Sequence, residues 1–496
     1  MTTYNACTDL LGGQARDRVA VRSRSRTVTY GELEDEVASV AGGLASLGVR
    51  AEERVAMVML DSVEFYDVFL GALRIGAVPA PLNPLLPGRD LGGIVAASRA
   101  RTLLVSEERA GDVGAITAAA PELQDVVVIG SPAWDKLVAS APAEPYPTWE
   151  DSPGFWLCTS GSTGAPKLAM HRHVDLRRTA DTYAAEVLGL GEDDRCFSVG
   201  PMFHAYGLGN SLTFPFAVGA SAIVEPTRPP TPALVAEVVA EFEPTVLFCV
   251  PTFYAALLAS DLPATTFASV RTGVSAAEPL PADLWSRFRD RFGVEVLDGI
   301  GSTEMTHIFI SNRAGAVRPG TSGRPVTGYR VELLDDGGAP VADGAPGQLY
   351  VGGDTMATGY WCATEATRQV FQGQRMRTGD MYVRSSDGYY TYLGRSDDML
   401  RVGGEWVSPA EVEGVLIGDG NVLEAAVVGE RDELGVQRPV AFVVARPGTE
   451  VDVGALEARC RESLAGYKRP RAYEVVDALP KTATGKVQRF KLRRSH

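Results

Sequence analysis

Apolar residues recur every three or four places across 30–49 (YGELEDEVASVAGGLASLGV), a spacing that predicts a helix with one buried stripe. The run at 53–60 (ERVAMVML) is short and nearly unbroken in its apolarity, which suits a strand covered on both faces. Residues 66–84 (YDVFLGALRIGAVPAPLNP) read as a helix, then a strand, then a turn. Strands are also predicted at 101–107, 125–130, 154–158 (GFWLC), 221–226, 244–251 (PTVLFCVP) and 294–301 (VEVLDGIG). Apolar strands alternating with helices predict parallel α/β sheets. Residues 131–151, rich in Pro, Ala and acid, read as a connector, and 226–232 (PTRPPTP) as a stiff loop.

From about residue 320 the texture changes to short strands between turns. YRVELLD (329–335) and GQLYVGG (347–353) are strands there, and DDGG and DTMATG are turns. The last stretch of about 100 residues has its own strands, EAAVVGE and RPVAFVVAR, and a helix at 453–467, so it reads as a separate small domain. The fold class predicted is α/β. A large N-terminal part has two α/β subdomains plus a β-rich subdomain, and a small α+β domain follows. No internal repeat or long low-complexity tract interrupts this order.

Composition narrows the function more than the fold. Of 496 residues, 45% are apolar and 22% charged, as in an ordinary globular protein. The net charge of −15 argues against nucleic acid or an anionic membrane as the main partner. No uncharged run reaches the ~18 apolar residues of a membrane span, and the N-terminus lacks a signal-peptide pattern. A cytoplasmic enzyme is expected. The six cysteines are scattered with no CxxC pair, which favours reduced thiols over a zinc cage or a disulfide framework.

The stretch LCTSGSTGAPKLAMHRH (157–173) sets many small polar residues ahead of one lysine. Such a run could be a flexible tether, or a cradle of backbone N–H groups for an anion. It follows an apolar run, which favours the cradle. It is not a Walker A loop, because Leu168 follows Lys167 where that loop has Ser or Thr.

Residues 159–167 (TSGSTGAPK) resemble the phosphate loop of the adenylate-forming superfamily, which comprises acyl- and aryl-CoA ligases, luciferases and the adenylation domains of peptide synthetases. Four further segments match in order: GIGSTEM (299–305), RTGD (377–380), YLGRSDDML (392–400) and LPKTATGKVQR (479–489). FHAYGLGNSLTFP (203–215), VPTFYA (250–255) and GSTEMTHIFISNRAGAV (301–317) resemble the benzoate–CoA ligase branch.

The resemblance implies ATP, Mg2+ and coenzyme A as cofactors and an aromatic carboxylic acid as substrate. Thr159, Ser160, Gly161, Ser162, Thr163, Gly164 and Lys167 would surround the β- and γ-phosphates. Ala277, Glu278, Asp298, Gly299 and Ile300 would border the nucleotide, with Ile300 where many members have a tyrosine. Asp380 would accept from both ribose hydroxyls, as an acceptor-only group suits a diol, beside Tyr392 and Arg395. Thr303 would touch the α-phosphate, and Glu304 would hold Mg2+, a hard cation that prefers oxygen. Lys486 would donate to the carboxylate and the bridging phosphate oxygen, completing a catalytic set of Lys486, Thr303, Glu304 and His204.

Ala205, Tyr206, Gly301, His307 and Ile308 would line the acid pocket with His204. His204 stands where benzoate ligases have a phenylalanine-like residue, which points to a hydroxyl- or amino-substituted ring. VLFCVPTFY (246–254) holds no aspartate, which disfavours a free α-amino acid. Leu168 replaces a usual glycine, and Arg401 a common lysine. Asp397 would be the hinge between a domain 1–396 and a mobile lid 397–496. Gly403 and Gly404 in RVGGEW suit either a thiol tunnel or a simple hairpin turn. The implied reaction makes aryl-AMP and then aryl-CoA in a monomer or homodimer. Loading of a carrier protein is the nearest alternative, and a non-catalytic nucleotide-binding protein the third.

Overall fold

The structure is a computed structural model that describes residues 2–160, 166–402, 405–431, 437–481 and 487–492. The chain packs into two compact units. One comprises Met1–Pro319, Gly323–Arg330 and Gly352–Met376, and the other Gly320–Ser322, Val331–Val351 and Arg377–His496. This is a division by packing. The boundary at 396/397 implied by the hinge motif is one of motion, and it remains a proposal.

In the first unit the apolar runs become strands of two parallel arrays. Six strands lie side by side in the order Val19–Arg22, Ser221–Ile223, Arg195–Ser198, Val246–Cys249, Thr272–Ser275 and Val296–Gly301, each parallel to the next. Antiparallel strands finish the edges, Thr27–Thr29 at one side and Ile308–Ser311 with Arg324–Pro325 at the other. The second array orders Val78–Pro81, Arg54–Val58, Thr102–Val105 and Asp125–Val128, again all parallel. Helical crossovers make this possible, because a parallel pair needs a long return path. Their starts are written locally. Thr29 and Glu32 form a capping box for Tyr30–Ser46, and Thr231 caps Pro232–Phe242 through the Leu234 amide.

The strand predicted at 154–158 joins neither parallel array. Pro153–Ser160 pairs antiparallel with Pro166–Arg172, with Thr159 opposite Lys167, and Gly359–Tyr360 adds a third strand. The cause lies in the residues after Lys167. Leu168 is buried among Trp156, Cys158, Met170 and Trp361, so this segment packs as a strand on apolar surface. That packing accounts for a leucine where related loops carry glycine. The predicted connector 131–151 is also corrected in part. Ser131 caps a helix Pro132–Val138 whose Trp134 and Leu137 are buried against the first core.

In the second unit Arg330–Leu334, Pro346–Gly352, Arg375–Arg384 and Tyr390–Arg395 follow one another in a β-sheet. Beyond the antiparallel pair Leu400–Val402 and Glu405–Val407, Val422–Arg431 runs antiparallel to Gln437–Ala445, which is parallel to Ala472–Val475. Helices Pro409–Ile417 and Val453–Ser463 bury Val412, Leu416 and Leu456 in a common core with Val427 and Val443. Among the described residues no helix is long and apolar enough to cross a membrane, and the six cysteines are free.

Candidate active site

In the first unit several of the expected site residues follow the C-terminal ends of strands of one parallel array. That edge is where open α/β sheets place ligands. His204–Tyr206 come after Arg195–Ser198, Ala277 and Glu278 after Thr272–Ser275, and Thr303–Glu304 after Val296–Gly301.

Tyr206 is pinned across this edge. It lies in the short helix Ala205–Leu208, and its hydroxyl is 3.1 Å from both the Cys249 and the Val274 carbonyl oxygens. The hydroxyl is therefore committed to backbone acceptors, and the ring is left as a fixed wall. His307 packs against that ring at 5.4 Å between centroids, and also against Tyr183 and Phe214. Its Nε2 donates to Asn210 Oδ1 at 3.1 Å and to the Tyr206 carbonyl at 3.3 Å. Burial pushes its pKa down to about 3, so the ring is neutral. Nδ1 is buried without a hydrogen-bond partner among the described residues. His307 thus supports Tyr206. Two glycines make room for it: a Cβ at Gly209 would lie 2.4 Å from His307 Cδ2, and one at Gly301 2.4 Å from the His307 carbonyl oxygen. Ala205 and Ile308 are buried beside this cluster, and the His204 ring lies 4.3 Å from that of Phe203.

Thr303 and Glu304 sit in a single helical turn, Thr303–Met305, whose carbonyls are all held. The Thr303 carbonyl accepts from Thr306 N at 3.2 Å and from His171 Nε2 at 2.8 Å. The Glu304 carbonyl accepts from Ala357 N at 2.8 Å, and the Met305 carbonyl from Thr355 Oγ1 at 2.9 Å. Thr306 closes the turn with φ +66°, a conformation that costs a β-branched residue about 1–3 kcal/mol. Against this fixed backbone the Glu304 carboxylate accepts from the Tyr360 hydroxyl at 2.6 Å, and the Lys167 ammonium lies 5.3 Å from the Tyr360 ring centre. A lysine expected at the outer phosphates and a carboxylate expected at Mg2+ are thus brought to one aromatic ring.

Among the described residues no three His, Cys, Asp or Glu side chains cluster as a metal cage. A single partly exposed carboxylate with oxygen donors fits a Mg2+ that arrives with nucleotide phosphates, since that ion keeps much of its shell from water and substrate.

Asp298 lies within the strand, opposite Ser275 in the ladder. Burial raises its carboxyl to about 8, and its Oδ1 has no partner among the described residues. Gly299 and Ile300 follow it, paired with Ser311 and Ile310. Ala277 takes φ +74°, and the Glu278 carboxylate accepts from Thr252 N, in the first turn of helix Pro251–Ala259.

In the second unit Asp380 and Arg395 face each other across two strands, with Arg395 Nη1 3.0 Å from Asp380 Oδ1 and 3.0 Å from the Thr378 carbonyl. Tyr392 is on the same strand, and burial raises its hydroxyl pKa. Asp397 lies in the exposed turn that follows. Arg489 pairs bidentately with buried Glu413 and reaches Asp398 beside the expected hinge. Ser160's side chain, Gly161, Ser162, Thr163, Gly164, Gly403, Gly404, Gly485 and Lys486 lie outside the described residues.

Tyr360, His171, Thr306 and Thr355 were not legible as site residues from motif reading. A signal existed for His171: in a strand, Lys167, Ala169 and His171 share a face, and Leu168 and Met170 the other. The stretch reads as a loop only if that alternation is ignored. Tyr360 follows directly on DTMATG, which reads as no more than a turn.

A model of the AMP-binding enzyme family matches residues 12–361, and one of the AMP-binding enzyme C-terminal domain matches 411–486. The chain is 45% identical over 509 residues to a benzoate–CoA ligase of Thauera aromatica, covering 99% of this chain and 96% of that protein. Among solved structures, an anthranilate–CoA ligase, AuaEII, in complex with anthranoyl-AMP superposes with TM-score 0.94 at 40% identity, covering 99% of this chain and 97% of that one. A benzoate–CoA ligase from Burkholderia xenovorans LB400 gives TM-score 0.91 at 43% identity, over 99% of this chain and 100% of that one.

Proposed function

The chain belongs to the AMP-binding enzyme family, and from that premise we propose that it activates an aromatic carboxylic acid with ATP and transfers the acyl group to coenzyme A. The observation that carries this reading is the linkage of an aromatic wall to a carboxylate turn: His307, three residues past Glu304, hydrogen-bonds the Tyr206 backbone and packs on its ring.

In the first step a carboxylate oxygen bonds to the α-phosphorus as the bond to the bridging oxygen breaks, and pyrophosphate leaves. Two anions must be held together and aligned, so the enzyme's task is positioning and charge stabilisation. Lys167 and the amides and hydroxyls of 159–164 take the outer phosphates, and Thr303 takes the α-phosphate. Glu304 would hold Mg2+, which would supply neutralisation of the triphosphate charge. Asp380 and Arg395 hold the ribose, and Lys486 donates to the carboxylate and the bridging oxygen. Tyr206, Ala205, Gly301 and Ile308 form a flat, apolar slot for the ring, with His204 as the polar group for a hydroxyl or amino substituent. In the second step the small domain turns about Asp397, the thiol sulfur bonds to the acyl carbon, and AMP leaves.

A carrier-protein acceptor is not favoured, since the relatives matched over nearly their full length bear the names of CoA ligases. The test is acid-dependent pyrophosphate release from benzoate, its hydroxy- and amino-derivatives, cinnamates and medium-chain fatty acids, with and without CoA. One aryl acid is expected to dominate, and thioester to form only with CoA. Adenylate without thioester would move the acceptor to a carrier protein. No release with any acid would overturn the aryl reading.

A further inference from the structure

His171 lies in the strand Pro166–Arg172, four register positions beyond Lys167 and so on the same face. It is buried, its ring stacked on Phe155 at 4.9 Å with 11° between planes. A carbonyl oxygen can only accept, so Nε2 carries the hydrogen it donates to the Thr303 carbonyl at 2.8 Å. On the other side of the ring Nδ1 is 3.3 Å from Asp175 Oδ2 and 3.3 Å from Thr306 Oγ1. Asp175 is itself fixed, its Oδ2 accepting from the Arg172 amide at 2.9 Å and its Oδ1 from the Arg172 guanidinium at 2.8 Å. One imidazole therefore touches both ends of the strained turn, the carbonyl of Thr303 and the hydroxyl of Thr306, and lies against the buried Asp175 carboxylate.

We infer that His171, wired from Asp175 to the Thr303 carbonyl, is a positioning residue that holds the Thr303–Thr306 turn and so aims Glu304 at magnesium-bound nucleotide. The inference rests on the proposed function for the identity of the nucleotide site. The physical reason is that a turn containing a threonine at positive φ relaxes unless its carbonyls are held elsewhere. Relaxation swings the Glu304 carboxylate, although its own partner Tyr360 is untouched. A group that only completes the core would act on folding alone. This one acts on how well the fold presents a single carboxylate.

Two variants separate these roles. His171→Phe keeps an aromatic ring against Phe155 and removes the donor, and His171→Gln restores an N–H at similar reach. The first readout is equilibrium binding of ATP with and without Mg2+ in the absence of any acid, on the full chain. Loss of a residue that orients a metal-holding group costs about 10–100-fold in affinity. His171→Phe is expected to lose that much of the Mg2+-dependent part of ATP binding, with Mg2+-free binding unchanged and His171→Gln recovering most of the loss. The second readout is turnover with the preferred acid. KM for the acid should hold while the adenylation rate falls, and thioester formation from supplied aryl-adenylate and CoA should proceed at the wild-type rate. Equal losses with and without Mg2+, no loss at all, or a loss that His171→Gln does not mend while the melting temperature drops would overturn the inference. Because binding is measured without acid, a wrong acid would fail the functional reading and leave this result standing.

Discussion

At Tyr360 a single side chain joins two groups that sequence places far apart. It donates to Glu304, 56 positions away, at 2.6 Å, while its ring face receives Lys167. The first contact orients the carboxylate, and the second sets the direction of the ammonium. Tyr360→Phe removes only the first, so Mg2+ half-activation of pyrophosphate release should rise by about 10–100-fold with KM for the acid unchanged. A Mg2+ titration of the variant with an unaltered midpoint would show that the hydroxyl does not orient Glu304. Tyr206 shows the opposite use of the same side chain. Its hydroxyl is occupied by the sheet edge, and only its ring is left for the proposed acid pocket.

The strand Pro166–Arg172 is the element on which the proposed nucleotide site depends. One face carries Lys167 and His171 toward the Glu304 turn, and the other buries Leu168 with Trp156 and Trp361. Anchoring and chemistry thus alternate along seven residues. Leu168→Ala leaves a cavity in a closely packed interior and should cost about 2–5 kcal/mol, read as a lower urea midpoint by tryptophan fluorescence. Leu168→Met keeps the volume and should cost less than about 1.5 kcal/mol. Equal midpoints for wild type and Leu168→Ala would mean that this face does not anchor the strand. Most of the parallel strands were legible because each is a short apolar run between turns. This strand was not, because its polar and apolar residues alternate after a glycine-rich stretch that also reads as a loop. The helix Pro132–Val138 was missed because a short cap and two apolar side chains look like connector in a Pro- and Ala-rich setting.

For the molecule as a whole, burial of neutral imidazoles sets the acid limit. His307 is pushed down to about 3 and His173 to about 4, both by desolvation, against about 6.5 when unfolded. Between these values the unfolded chain binds protons that the folded chain refuses, so stability is full above pH 6.5 and is lost as pH falls toward 4. Each group contributes up to about 1.4 kcal/mol per pH unit in its window. The melting temperature should fall from pH 6.5 to 4.5, and His173→Gln should flatten that fall; equal slopes would assign the acid loss to other groups. The ordered motifs, the apolar strands and the family resemblance were set by sequence alone, because each is a local pattern of residue types. The pairing of His171 with Thr303 across 132 positions, the sharing of Tyr360 by Glu304 and Lys167, and the seating of His307 behind Tyr206 were decided by the folded chain. Periodicity says which face a side chain takes. It does not say which distant segment will be packed against that face.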